Sequence, residues 1–489
     1  MTNRVALSVV ERFAFAGGYE FGTVGAYERL VGRAHFAVDP AGAAQRGITD
    51  LDKAPTDGDG LAHFTGDFSI LKPADPARGN CRLFFDYGNR GNKRMLQFFN
   101  DAPASNDPRT LAQAGNGFLM RRGYTVAWLA WQGDLLPGNG RLLLDLPVAR
   151  ERHGPVTGLV RTEYIADRSG ITVFPLSGRV SVRSHPTVSL DPREARLTRR
   201  RYPYDEREAV PPENWCFARV EGGTGLDNQG AVQAVVPSDS HIYIPGGFEP
   251  GWIYELVYTA RDPLVLGLGH VVVRDFVSFL RYGKEDAAGR LNPLCERDGT
   301  IEKAYAWGRS QTGRCLRDFV YRGFNADTAG RKVFDGILPH VAGAGRMWLN
   351  HGIVKEPPDI VAGSDYTILV PAVDADGNDR AGVRAPMVAT PLGTYCGWNL
   401  RARGFGHGAM HEFSASYIPL PETPEERRAT GDPRRSILER YQNAEAYVRA
   451  ITAAARQLVE QGLMLEEDVE RAAEVAADWG RPRHDIGLG

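Results

Sequence analysis

Residues 304–319 read AYAWGRSQTGRCLRDF, and the order of residue types in this stretch decides how the rest of the chain is read. Ala304 to Trp307 form a short apolar run suited to a buried strand, while Leu316, Phe319 and Val320 fall on one face of a helix. Between them Gly308 stands two residues before Ser310 and Gly313 three after it. A nucleophile elbow needs this succession: a strand ends, one residue enters a strained turn, a helix starts at once, and small residues sit where backbones pass close. The spacing is GxSxxG, one residue longer than the usual GxSxG. Ser310 is then the nucleophile, and the Gln311 amide at the helix start is an oxyanion donor. Serine is also a favoured helix N-cap, so a plain capping role competes. The flanking strand and helix favour the elbow.

Outward from this stretch the pattern stays α/β. CRLFFDYGNRGN (81–92) and GYTVAWLAWQGD (123–134) are apolar runs ending in glycine-containing loops, with the helix-like TLAQAGNGFLMRRG between them. WIYELVYTARDP reads as a further core strand, VVVRDFVSFLRYG as a packed helix, and KVFDGILPHVAGAG (332–345) as the strand and loop after the elbow helix. Five sections result: a β-rich opening (1–75), a first part of the core (76–150), a β-rich insertion (151–250), the rest of the core with the elbow (251–430), and C-terminal helices packed on the core (431–489). The tail predicts a helix starting at Asp432–Pro433 and stopping at Gly462. The expected fold is a mixed, mostly parallel sheet flanked by helices.

Composition narrows the function. The 489 residues are 43% hydrophobic and 24% charged, as in globular proteins. The 58 Lys and Arg against 60 Asp and Glu give a net charge of −2, so no global field favours nucleic acid or an anionic membrane as a partner. Five scattered cysteines without a CxxC pair argue against a disulfide framework or a structural zinc site. The N-terminus lacks a secretory pattern and no apolar run has the length of a membrane helix, so the chain reads as cytoplasmic.

Several long stretches carry a resemblance: FAGGYEFGTVGAYERLVGRAHFAVDP, FFDYGNRGNK, RRGYTVAWLAWQGD, IYELVYTARDPLVLGLG, GRSQTGRCLRDFVYRGFN, VFDGILPHVAGAGR, VPAVDADGN, PLGTYCGWNLR and GDPRRSILERY. Through them nearly the whole chain resembles the bacterial alpha/beta hydrolase domain-containing protein family of the α/β-hydrolase superfamily. The resemblance implies an α/β-hydrolase core with Ser310 as nucleophile. It assigns NRGN (89–92) to the loop that supplies the second oxyanion donor, with the amides from Arg90 to Asn92 as candidates, Gly91 and Asn92 among them. The elbow is also similar, over a short stretch, to that of glucuronoyl esterases.

A triad in this fold follows the chain order Ser, Asp or Glu, His. Members of the family commonly carry a longer segment after PHVAGAGR, with a carboxylate and a later histidine; this chain has MWLNHGIVKEPPDIVAGSDYTIL there (347–369). His407, in GFGHGAMHEF, with Asp376, in DADGND, is the expected base and acid. His340, after the strand next to the elbow strand, is the other candidate base. His411, Asp374 and Asp379 are alternatives, as are His351, Asp359 and Asp365. Each has an ordinary reading too: His340 bonding a loop carbonyl, His407 in a glycine loop, DADGND as a turn, His270 as packing. No metal ligand set, dinucleotide motif or other cofactor site is expected. The expected function is a serine hydrolase that cleaves a carboxylic ester of a small molecule through an acyl-enzyme. A binding protein with the elbow but an incomplete triad, or a lyase on the same scaffold, are the alternatives. The sequence does not set the oligomeric state.

Overall fold

Three long strands open the structure, β1 (Arg4–Ala14), β2 (Tyr27–Val38) and β3 (Ala62–Pro73), each antiparallel to the next. The computed structural model describes residues 3–203, 205–221, 234–295, 300–343, 347, 349, 371–405, 407–408, 411 and 415–477. After the meander come β4 (Arg82–Asp86), α1 (Met95–Phe99), α2 (Phe118–Arg121), β5 (Thr125–Leu129) and the two-residue β6 (Leu144–Asp145). Leu83, Phe84 and Phe85 of β4 and all five residues of β5 are buried, the continuous apolar pattern of strands covered on both faces. TLAQAGNGFLMRRG is split into a 3-10 turn (Ala112–Ala114) and the short helix α2, because Gly115 (φ 62°) and Gly117 (φ 68°) turn the chain between them.

An insertion follows, built on β7 (Thr157–Ile165), β8 (Arg196–Arg200), β9 (Glu208–Ala209) and β10 (Ile253–Arg261). These form a sheet in the order β9-β8-β10-β7 over a hydrophobic core of their own, including Tyr164, Phe174, Trp215, Phe248 and Tyr258. WIYELVYTARDP, expected as a core strand, is therefore the long strand of the insertion. Its alternation of large apolar residues suits either sheet, and only pairing with β7 and β8 assigns it.

The chain then returns through α3 (Leu268–Tyr282) to β11 (Lys303–Arg309), α4 (Gln311–Tyr321) and β12 (Gly336–His340). The main sheet runs β1-β2-β3-β5-β4-β11-β12, with β6 beside β3. From β5 to β12 all pairings are parallel, so the three antiparallel opening strands extend this same sheet. The result is a mixed sheet with helices on both faces. Phe68 meets Phe276 of α3, and Tyr87 meets Phe319 of α4; on the other face Phe84 and Trp307 meet Phe99 of α1. Fully burying one such phenylalanine contributes about 1.5–3 kcal/mol.

Beyond β12 lie α5 (Pro386–Ala389), α6 (Pro424–Thr430), α7 (Ile437–Tyr441), α8 (Ala444–Glu460) and α9 (Glu467–Ala477). The single long tail helix expected from the sequence is two: Gln442 takes φ 62°, and Asn443 caps α8 by accepting from the Ala446 amide. The tail has its own small core at Tyr447, Ile451 and Ala476. It touches the α1–α2 region through surface ion pairs such as Arg121–Glu467 at 3.5 Å. Among the described residues no helix is long and apolar enough to cross a membrane, and no group of His, Cys, Asp and Glu could hold a metal ion.

Candidate active site

Ser310 is the single residue between β11 and α4, with φ 58° and ψ −115°. An L-residue with a Cβ avoids this combination, which costs about 1–3 kcal/mol when the surroundings impose it. The surroundings do impose it. The Ser310 amide donates to the His340 carbonyl at 2.9 Å, and the Thr312 hydroxyl accepts from the Arg309 amide at 2.9 Å while donating to the Arg309 carbonyl at 3.1 Å. The Ser310 side chain makes no capping bond, so the simple N-cap role is not what holds it there.

The same contacts explain the GxSxxG spacing. A Cβ on Gly308 would lie 2.5 Å from the Thr312 carbonyl oxygen, and one on Gly313 would lie 2.9 Å from both the Gly308 and the His340 carbonyl oxygens. The second glycine is needed one position later than usual because Thr312 closes the turn and Gly313 is the residue that passes β12.

Residues from the ends of β4 and β5 brace this turn. Asn89 Nδ2 donates to the Arg309 carbonyl at 3.1 Å, Trp131 Nε1 donates to the Gly88 carbonyl at 2.7 Å, and Gln311 Nε2 donates to Gln132 Oε1 at 3.2 Å. Below, the Asp86 carboxylate accepts from the Arg94 and Met95 amides and from Trp128 Nε1, tying α1 and β5 to β4. Burial pushes the Asp86 carboxyl up to about 6 against these hydrogen bonds. Behind α4, the fully buried His270 ring bonds Asp318 at 3.0 Å, and burial holds its pKa below the ordinary value. His270 thus joins α3 to α4, the packing role read from the sequence.

These contacts gather Ser310, Gln311, the NRGN loop, WQGD and His340 at the C-terminal ends of parallel strands, where open α/β sheets place their ligands. A family model described as alpha/beta hydrolase domain matches residues 241–362 and 346–474. The chain contains an alpha/beta hydrolase domain. The first stretch contains the elbow, and the second the DADGND and GFGHG loops. No curated protein and no solved structure matches the chain.

Some expected site residues do other work. The Gly91 amide donates to the Gly88 carbonyl at 3.3 Å and the Asn92 amide to the Asn89 carbonyl at 3.1 Å, so these two expected oxyanion donors are engaged in their own turn. Gly91 is required by its neighbour instead: a Cβ there would stand 2.5 Å from the Leu142 carbonyl oxygen. Asn92 braces Asn106, accepting from its Nδ2 at 2.9 Å. Gln311, at the first position of α4, keeps its place beside Ser310.

The expected acid and base are not brought together. Asp376 is paired with Arg440 on α7, whose Nη1 lies 2.9 Å from Asp376 Oδ2. His407 is exposed, with its ring edge-on to Tyr202 of the insertion at 6.1 Å. The cause is local: Gly404 passes so close to Gly251 that a Cβ on the latter would be 2.7 Å from the Gly404 carbonyl oxygen, and Arg401 pairs with Asp167 at 3.0 Å. These contacts fix the loop on the insertion. Asp374 accepts from the Asp376 and Asn378 amides, so DADGND is a turn. His351, Asp359 and Asp365 lie outside the described residues.

His340 sits opposite Arg309 in the β11–β12 register, and its carbonyl holds the elbow amide. Its ring packs on Trp307 and Phe98, and partial burial together with the nearby Arg309 guanidinium lowers its pKa. Arg309 lies over the Phe98 ring at 4.9 Å. The bracing residues Asn89 and Gln132 were not singled out from the sequence. The available signal was their position at the ends of two buried parallel-type runs.

Proposed function

We propose that the chain is a serine hydrolase that cleaves a carboxylic ester of a small molecule through an acyl-enzyme. The observation that carries this reading is the backbone of Ser310, held in a strained conformation with its hydroxyl free of any capping bond. In the first half-reaction Ser310 Oγ bonds to the ester carbonyl carbon as its proton passes to a histidine. The tetrahedral oxyanion is held by the Gln311 amide at the positive end of α4. The carbon–oxygen bond to the leaving group then breaks, and the alkoxide takes the proton and departs as an alcohol. Water repeats the sequence on the acyl-enzyme, releasing the acid and restoring Ser310.

His340 is the base best supported among the described histidines. It ends the strand bonded to the elbow, and its lowered pKa keeps the ring neutral and able to accept a proton near pH 7. A cytoplasmic site of action, drawn from the sequence, belongs to the same proposal. The second reading is an altered member that binds ligands without turnover. It is favoured by the diversion of Asp376 to Arg440 and of His407 to Tyr202.

A fluorophosphonate probe with p-nitrophenyl acetate turnover separates the two. Covalent labelling at Ser310 and hydrolysis, both lost in Ser310→Ala, are expected; a correctly folded protein that neither labels nor hydrolyses is the binding protein of the second reading.

A further inference from the structure

The carboxamide chain behind Ser310 has a fixed direction. Gln132 Nε2 donates to Asp134 Oδ1 at 2.8 Å, and an ionised carboxylate only accepts, so the oxygen of Gln132 faces the other way. That oxygen takes the hydrogen bond from Gln311 Nε2 at 3.2 Å, which orients Gln311 in turn. What remains is Gln311 Oε1, a buried acceptor with no hydrogen-bond partner among the described residues, on a residue that is only 9% exposed. Gln132 is 5% exposed, so neither carboxamide is free to reorient into solvent. Folded proteins leave few buried acceptors unmet, and one next to a strained serine calls for a ligand explanation.

We propose that Gln311 Oε1 accepts a hydrogen bond from a hydroxyl on the acyl group of the substrate, so that hydroxylated acyl esters are the preferred substrate class. The inference rests on Ser310 being the nucleophile. An acyl group stays bonded to Ser310, beside Gln311, through both half-reactions, whereas the leaving group departs after the first; an acceptor on Gln311 therefore acts longest on the acyl side. Gln311 is a specificity-determining residue in this arrangement, and Gln132 and Asp134 are positioning residues that aim its oxygen.

The test compares p-nitrophenyl lactate with p-nitrophenyl propionate, which differ by one hydroxyl. The wild type should favour the lactate in kcat/KM by about 10-fold or more, the scale of one well-made hydrogen bond. Gln311→Met keeps the backbone amide and removes the acceptor, and should bring the ratio to about 2 or below. Gln132→Met, which removes the partner that orients Gln311, should lower the ratio as well and serves if the first variant misfolds. A wild-type ratio near 1, or an unchanged ratio in both variants, overturns the assignment. A wild type that fails to label and hydrolyses neither ester overturns the hydrolase reading on which it stands.

Discussion

The turn at Ser310 and the turn at Asp374–Asp379 are both short, polar and glycine-containing, yet they are held in opposite ways. In the second, Gly377 takes the positive φ at 78°, Asp374 accepts from two amides and from Arg384, and Asn378 Nδ2 donates to the Gly393 carbonyl at 3.1 Å. Strain falls on a residue that tolerates it and the polar groups are matched. At the elbow a serine takes the positive φ, its hydroxyl makes no cap, and the next residue keeps an unmatched buried oxygen. A turn whose needs are met is structural, while one held against its preferences beside an unmatched polar group is the candidate for function.

This contrast can be broken most sharply at Ser310. Ser310→Gly should abolish ester turnover by about 10³-fold or more, and yet raise stability by about 1 kcal/mol in urea unfolding, because glycine adopts the φ that serine resists. A variant that loses activity and gains no stability would mean that little strain is stored there. Gly308→Ala comes next, since its Cβ would meet the Thr312 carbonyl at 2.5 Å. A loss of about 1–3 kcal/mol is expected, with slower turnover as the elbow shifts.

The pH profile tests His340. A base must be unprotonated to act, and burial with Arg309 lowers the pKa of His340 from the ordinary 6.5. The rate should therefore hold at neutral pH and fall with acid only below 6.5; an acid limb centred at or above that value points to another base. The smallest effects belong to the satisfied loops. His407→Ala and Asp376→Asn should leave kcat/KM within about 2-fold, with Asp376→Asn losing about 1 kcal/mol through its Arg440 partner. A hundredfold loss in either would return that residue to the site.

Much of the fold was legible because strong local patterns coincided with it. β4, β5, β11 and α4 stand where apolar runs and turn residues put them, and α3 where its periodicity did. Other placements depended on partners distant in sequence. β10 alternates like any strand, and its assignment to the insertion comes from pairing with Thr157–Ile165 about ninety residues earlier. His407 was read as a base from chain order, but chain order does not say that its loop lies against Tyr202. Gly91 was read as an open oxyanion loop, while the close approach of Leu142 is what requires a glycine there.

By itself the sequence determined the elbow, because a strand, a glycine-flanked serine and an amphipathic helix are each encoded within a few residues. Only the tertiary structure decided what surrounds it. Hydrogen bonds with Asn89, Gln132 and His340 tie it to three other strand ends, and the partners of Asp376 and His407 are drawn from α7 and the insertion. Local conformation follows from neighbours along the chain, whereas the company a side chain keeps is set by which strands pair.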